Sequence, residues 1–587
     1  MANEDETKQT ISEESGVEHA EETPEDHNAE TFHPSQFDAV FLLSLLDPRP
    51  FFIPFNSRRM VWWFALLSLV AGYVFLEHHY DASTVIHDVA FDNVLPLMIA
   101  LTSYEPLMLL MNMAFAVYPD EELEQDEALY DVENPLEDET KPENYSRELQ
   151  IAYRRNRELA ILIPCHKSEK IIRETFISCL RHVPPSQIFI VDNGLEPEPT
   201  DETRAVIRNL SRGVRYVYYG NTGNKTLALL ATATYILHRH PYDLRFALLI
   251  DDDVLVPARF RAKYTYFEDE AVHSIVYPIR AISELTSEKP LLIRLQDLEY
   301  QLSDLEMGFL DRTNSVQRPH GAASLWKIAT LVDVLLKHNG VFKGDDVQMG
   351  LILQQMRFSG RSGILRQDMI CCFETKAPGT ILGPTPNLYT QRVRSWNEAA
   401  FLYFWTLHLK PLLTHWKRPP WSLLSIKNHQ LYGNYIQLGH IIRIPVLVFL
   451  HKNPQFWLVN LSSSVIQGFL IAGFNYLKLP LERRLDWKTT VIYPFYSLLN
   501  MGFGTLGFLR ALLISGPVAP HPKSIQKRIE KNQLILPNNA PSPVTPEHQE
   551  VSFHATQSLE MYSFFARNGL KVIEAGEVEA PSESLGL

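Results

Sequence analysis

From about Glu158 the chain falls into short apolar runs that end in polar residues and are separated by stretches of helical character: ELAILIPCHKSE, QIFIVDNG, VRYVYYGN and FALLIDDDV. This alternation predicts an α/β domain over residues 158–398, built around a mainly parallel sheet. In such sheets ligands sit beyond the carboxyl ends of the strands, where these polar residues fall.

Longer apolar runs flank that domain. Met60–Leu76 follows Arg58 and Arg59 and is about long enough to cross a bilayer, so it reads as a signal anchor whose start stays in the cytosol. A second run, Asn93–Val117, returns with Glu105 inside it, completing a membrane hairpin over 57–118 that leaves the next domain cytosolic. After Ala399 the candidate spans are Tyr432–Leu450, Phe456–Tyr476 and Thr490–Ile514. The stretch AAFLYFWTLHLKPLLTHW, with His408 and Lys410, suits an interfacial helix better, so 399–516 reads as interfacial and transmembrane helices. Three C-terminal spans would leave the basic HPKSIQKRIEK outside, against the charge rule, so one assigned span is wrong or missing.

Composition refines the ends. The formal charge of -15, from 54 Lys+Arg against 69 Asp+Glu, is concentrated before Pro34 and between Asp120 and Glu148. Residues 1–36 therefore read as a disordered acidic tail, 119–157 as an acidic linker, and 517–587 as a cytosolic tail, loose from about Pro537. A net-acidic chain disfavours nucleic acid as a partner. The cysteines, Cys165, Cys179, Cys371 and Cys372, give no zinc pattern by spacing or nearby histidines, a disulfide-stapled secreted domain is not expected, and the adjacent pair reads as buried structural thiols. Sequons at Asn144, Asn209 and Asn460 give a topology check, because glycans on the first two would place the domain outside the cytosol.

The candidate chemistry begins at LLIDDDVLVP. An apolar strand ends in Asp251, Asp252 and Asp253, and alternation puts Asp251 and Asp253 on one side of the chain. Such carboxylates repel one another unless a divalent cation binds, and that cation would bridge the phosphates of a nucleotide sugar. The competing reading is a helix cap or solvated loop. Upstream, Asp192 sits in a VDNG turn and Pro164–Glu169 ends the first strand; both also suit ordinary turn chemistry. Asp345 and Asp346 precede a predicted helix, where a carboxylate takes a proton from an acceptor hydroxyl or caps the helix. Lys225 either meets phosphate or solvates a helix start. In QRVRSW, Arg392 and Arg394 suit diphosphate oxygens and Trp396 suits a sugar face; a membrane-interface anchor has the same composition.

With these motifs in this order, residues from Ala160 to about Trp396 resemble family 2 glycosyltransferases. With its membrane segments the chain is similar to the hyaluronan, chitin and cellulose synthase group, and above all to the hyaluronan-synthase-like type 2 enzymes of filamentous fungi. The resemblance implies a GT-A fold flanked by transmembrane and interfacial helices, inverting hexosyl transfer from a UDP-sugar to a glycan acceptor, and Mg²⁺ or Mn²⁺ at Asp251 and Asp253. It implies Asp192 on the uracil side, Asp346 beside Asp345 as catalytic base, Lys225 toward the donor, and Gly321 lining the acceptor site. Gln391, Arg392, Arg394 and Trp396 would bind diphosphate and acceptor sugar. Two departures stand out: Ser395 separates Arg394 from Trp396, and Cys165, His166 and Lys167 replace the usual aromatic-Asn pair. The implied setting is a multi-pass protein of the plasma membrane with the lipid bilayer as partner, making a cell-wall or surface glycan in hyphal growth, with a homo-oligomer compatible. The rivals are transfer of one sugar to a lipid and a catalytically silent scaffold or regulator of a synthase.

Overall fold

The computed structural model describes residues 102–116 and, with short breaks, 147–414, 419–450 and 454–515, together with 524–527, 561–566, 570–573 and scattered positions between 68 and 99. The chain divides into two compact units, Met1–Phe55 and Asn56–Leu587, and every described residue belongs to the second. The acidic tail 1–36, most of the Met60–Leu76 anchor and most of the linker 119–157 lie outside the described residues.

The strands are β1 (Leu159–Cys165), β2 (Ile188–Asp192), β3 (Arg215–Tyr219), β4 (Phe246–Leu249), β5 (Val254–Leu255), β6 (Val272–Val276), β7 (Ile279–Ile282), β8 (Ser324–Lys327), β9 (Ser359–Ser362), β10 (Phe373–Lys376) and β11 (Leu570–Ile573). An 8-stranded sheet runs β11-β3-β2-β1-β4-β8-β6-β9, and a 3-stranded sheet runs β5-β10-β7. The parallel block is β3-β2-β1-β4. Beyond it β8 runs antiparallel to both β4 and β6, and β11 is antiparallel to β3, so the sheet is mixed where the sequence pattern predicted a mainly parallel one. Hydrophobic runs reveal strands but not direction, which is fixed by connections made elsewhere in the chain.

Alternation along the strands fills two cores. Ile161, Ile163, Ile190 and Leu248 face one side, beneath helix α1's neighbour α2 (Ile172–Leu180); α1 itself is Arg147–Arg155. Ala160, Leu162, Phe189 and Ala247 face the other, under α3 (Lys225–Arg239) and, past α4 (Leu291–Asp311), α5 (Ile328–Lys337). Two-sided cover is why these strands read as unbroken apolar runs. Ile525, Phe565 and Leu570 join the second core, so part of the region read as a loose tail is built into the domain.

His182, after α2, sits edge-on to Phe260 with ring centroids 5.5 Å apart, and its pKa is lowered to about 4, chiefly by burial. The folded state therefore holds a neutral ring, and the stability this contributes is present above pH 6.5 and lost as pH falls toward 4. His182→Gln is expected to flatten the slope of unfolding free energy against pH over that window by about one proton, measured by denaturant titration at several pH values.

After α6 (Asp345–Gln355) come three long helices, α7 (Pro420–Leu450), α8 (Pro454–Leu477) and α9 (Trp487–Ser515), which contain the three predicted C-terminal spans. Among the described residues α8 alone is long and apolar enough to cross a membrane. Helix α7 carries Lys427, Asn428, His429, Gln430 and Asn434 in its first half, which lowers its hydropathy. Residues 102–115, from the second predicted hairpin segment, form a helix against this group. Glu105, which weakened that segment on sequence grounds, accepts a hydrogen bond from Gln467 of α8 at 2.9 Å, and Ser463 donates to the Thr102 carbonyl at 2.9 Å. Helix α4 is the wall shared with the α/β domain: Leu295 and Leu298 pack with Tyr493, Tyr496 and Phe503 of α9.

Candidate functional site

Four loops converge beyond the carboxyl ends of β1, β2, β3 and β4. Asp192 is the last residue of β2, paired in register with Cys165 at the end of β1. It is 2% exposed and accepts a hydrogen bond from the Tyr216 hydroxyl; burial raises its pKa above the usual carboxylate range. Gly194 closes the turn because Tyr218 occupies the space that a Cβ would need. The Gly194 carbonyl then accepts the Gly223 N–H at 3.0 Å, and Gly223 has φ 54°, in the left-handed region that glycine adopts freely. This bond ties the Asp192 turn to the loop before α3.

Helix α3 is capped by Asn224, whose side chain accepts the Leu227 N–H at 3.0 Å. Its first residue, Lys225, reaches Asp251 with Nζ 2.6 Å from Oδ1. A Cβ on Gly321 would lie 3.5 Å from that Nζ and 4.0 Å from the Asp251 carboxylate, so Gly321 keeps open the space beside the pair. Lys225, Asp251 and Gly321, separated widely in sequence, therefore share one spot.

The neighbouring carboxylates differ. Asp252 accepts a hydrogen bond from Ser168, its carbonyl takes the Thr175 hydroxyl at 2.8 Å, and burial pushes its carboxyl up to about 6. Asp253 is pushed up to about 8 by burial, then by Asp251 and Asp252. Such a crowded, partly desolvated carboxylate set fits a divalent cation: hard oxygen donors whose mutual repulsion the ion relieves. Among the described residues no group of three His, Cys, Asp or Glu could hold an ion unaided, so diphosphate oxygens would have to complete the shell, as is usual for Mg²⁺.

The QRVRSW segment forms a π-helix, Thr390–Asn397. Arg392 is 3% exposed, pairs with Glu299 of α4 at 2.8 Å, and lies 3.8 Å from the Trp396 ring centroid. Glu299 also accepts from the Tyr496 hydroxyl of α9 at 2.9 Å. Arg392 thus fixes Trp396, 43% exposed, from beneath, while the buried Nε of Arg394 and Oε1 of Gln391 have no hydrogen-bond partner. Tyr300, one residue past Glu299, is pushed up to about 12 by burial and lies within electrostatic reach of both Arg392 and Asp253. Glu299→Gln is expected to lower stability by about 2 kcal/mol, because a buried guanidinium loses its counter-charge, and to loosen Trp396; thermal unfolding followed by tryptophan fluorescence measures both.

Asp346 stands in the first turn of α6 and its Oδ1 accepts the Val347 N–H at 2.8 Å. Gly340, ahead of this helix in the sequence, lies beside the site, because its carbonyl accepts from Asn224, the cap next to Lys225. Asp345 opens the helix. Cys371 and Cys372 lie outside the site and form no disulfide; Cys372 is buried and accepts from Arg483, whereas Cys371 is only partly buried, not the fully buried pair expected.

Sequence reasoning missed Ser168, Thr175, Tyr216 and Glu299, which hold the functional side chains from other elements. It also missed His320, beside Gly321: burial lowers its pKa to about 4, while the Asp251 charge and the backbone of Tyr277 oppose this. The PHG string was a usable signal, because a histidine preceding a required glycine at a site edge is easily tested.

Residues 156–362 match the family described as "Glycosyltransferase like family 2". This stretch spans β1 to β9, the greater part of the α/β fold with its mixed sheet, and is the part of the chain similar to glycosyltransferase family 2. No curated protein matches the chain. Among solved structures it is similar to the mannosyltransferase PcManGT from Pyrobaculum calidifontis in complex with GDP-Man and Mn²⁺, at 13% identity over 61% of this chain and 85% of that one, TM-score 0.33. It is similar also to M. tuberculosis glucosyl-3-phosphoglycerate synthase (15%, 43% and 80%, TM-score 0.24) and to S. aureus TarS (12%, 60% and 55%, TM-score 0.25).

Proposed function

We propose that this glycosyltransferase is membrane-embedded and transfers a sugar, with inversion, from a UDP-sugar to the hydroxyl of a growing glycan. The observation that carries the reading is the convergence of Lys225, Asp251 and Gly321 with the Asp192 turn at the strand ends. Asp192 receives the nucleoside, and Lys225 and the amides at the start of α3 face diphosphate. Asp251 and Asp253 would hold Mg²⁺ or Mn²⁺, which supplies positive charge to the departing diphosphate. Asp346 takes the proton of the acceptor hydroxyl. Trp396, held by Arg392, offers an apolar face to the acceptor ring, and Gln391 and Arg394 supply polar contacts there.

Exposed apolar side chains support the membrane setting: on α8, Leu461 is 65%, Phe469 74% and Leu477 79% exposed, and on α9 Phe495 is 69% exposed. Rows of this kind are costly in water and suit lipid. A helical group packed on α4 is where a lengthening chain would pass if the enzyme polymerises. Release of nucleoside diphosphate from a panel of UDP-sugars, with Mn²⁺ or with a chelator, tests the transfer, and product length tests polymerisation. A metal-independent release would remove the cation, and a single-sugar lipid product would remove the polymer.

A further inference from the structure

At the opposite end of the sheet a cavity of about 800 Å³ opens among residues that the transfer site does not use. The parallel strands begin there: Glu158 precedes β1, Arg245 precedes β4, and Phe246 pairs in register with Lys327 at the end of antiparallel β8. From Phe246 to Asp251 is five residues of extended chain, about 16 Å, so the cavity and the aspartates lie at opposite ends of the same strand.

The lining is strongly basic. Arg154 and Arg155 at the end of α1, with Arg157, Arg245 and Lys327, line it beside two carboxylates, Glu158 and Glu268. Glu158 is shared, 3.4 Å from Arg245 and 3.7 Å from Arg157. Basic side chains outnumber acidic ones in this lining, so the concavity favours an anion, although the net charge of the chain is -15. Burial lowers the Lys327 pKa, Arg245 lowers it further, and the charges of Asp269 and Glu270 oppose this. The floor is apolar, with Phe246 and Phe267 stacked at 5.0 Å and Tyr264 against Phe246 at 4.9 Å. Scattered surface arginines solvate independently; these converge on a concavity with an aromatic base, which suits a ligand with a charged head and an apolar or planar part.

We propose that this cavity binds an organic phosphate, with the phosphate held by Arg154, Arg245 and Lys327 and the apolar or planar portion against Phe246 and Tyr264. Arginine forks match phosphate oxygens, and the site has room for more than the phosphate alone. The same chemistry is offered by a soluble nucleotide and by a phospholipid headgroup. Binding at the base of β1 and β4 would tighten the strands whose far ends carry the transfer site.

The test is calorimetric titration of the full-length protein in detergent, with divalent cations chelated, using AMP in one arm and short-chain phosphatidic acid in the other. Binding of either supports the proposal when Lys225→Met leaves it intact and Arg245→Gln with Lys327→Gln weakens it about tenfold or more, the loss expected for charge-assisted contacts. AMP alone identifies a soluble ligand, and phosphatidic acid alone a lipid headgroup. Should the double variant not fold, Arg154→Gln, an exposed single change, is expected to weaken binding severalfold. Absence of binding in both arms, or binding lost with Lys225→Met and unaffected by the cavity variants, overturns the proposal.

Discussion

Asp253→Asn is expected to reduce nucleoside diphosphate release by about 10²–10³-fold without lowering thermal stability. The two halves of this result have one cause. Burial and the charges of Asp251 and Asp252 push the Asp253 carboxyl up to about 8, so near neutral pH the unliganded folded protein holds it largely protonated. Asparagine resembles that neutral acid in size and polarity, and the variant loses no folding energy. What it loses is the capacity to become an anion where charge builds on a leaving diphosphate. Parallel melting curves and initial rates measure both halves, and a variant with wild-type rate and metal response would remove Asp253 from the site.

For Asp346→Asn the expected loss of rate is about 10²–10⁴-fold, confined to kcat, with KM for the donor little changed. Asp346 accepts an N–H at the start of α6, so the same carboxylate serves the helix even if it has no chemical role. Asparagine separates the two roles, because its side-chain oxygen can still accept the Val347 N–H but is no base at neutral pH. Retained melting temperature with lost turnover supports proton removal by Asp346; full turnover shows that the residue serves only the helix.

The α/β pattern was legible because β1, β2 and β4 are covered on both faces, leaving runs such as LAILIPC with no exposed polar position. Asp192 and Asp251 were legible for the complementary reason: each follows such a run directly, where the chain leaves the core. Sheet direction was not legible past β4, since β8 returns from a connection that includes the long helix α4. Neither was the place of β11, a short strand from the far C-terminal region that completes the β3 edge.

The motif order by itself determined the class of chemistry, because carboxylates at strand ends and a basic-aromatic segment need only local sequence. Tertiary structure decided what each residue is bonded to. Lys225, undecided between phosphate contact and helix solvation, is joined to Asp251 and Gly321 only by the packing of α3 across β1, β2 and β3. Arg392, read as a diphosphate contact, is committed to Glu299, 93 positions away. Charge and polarity are properties of a residue and can be read along a chain. Which opposite charge satisfies them depends on distance in space, which folding alone sets.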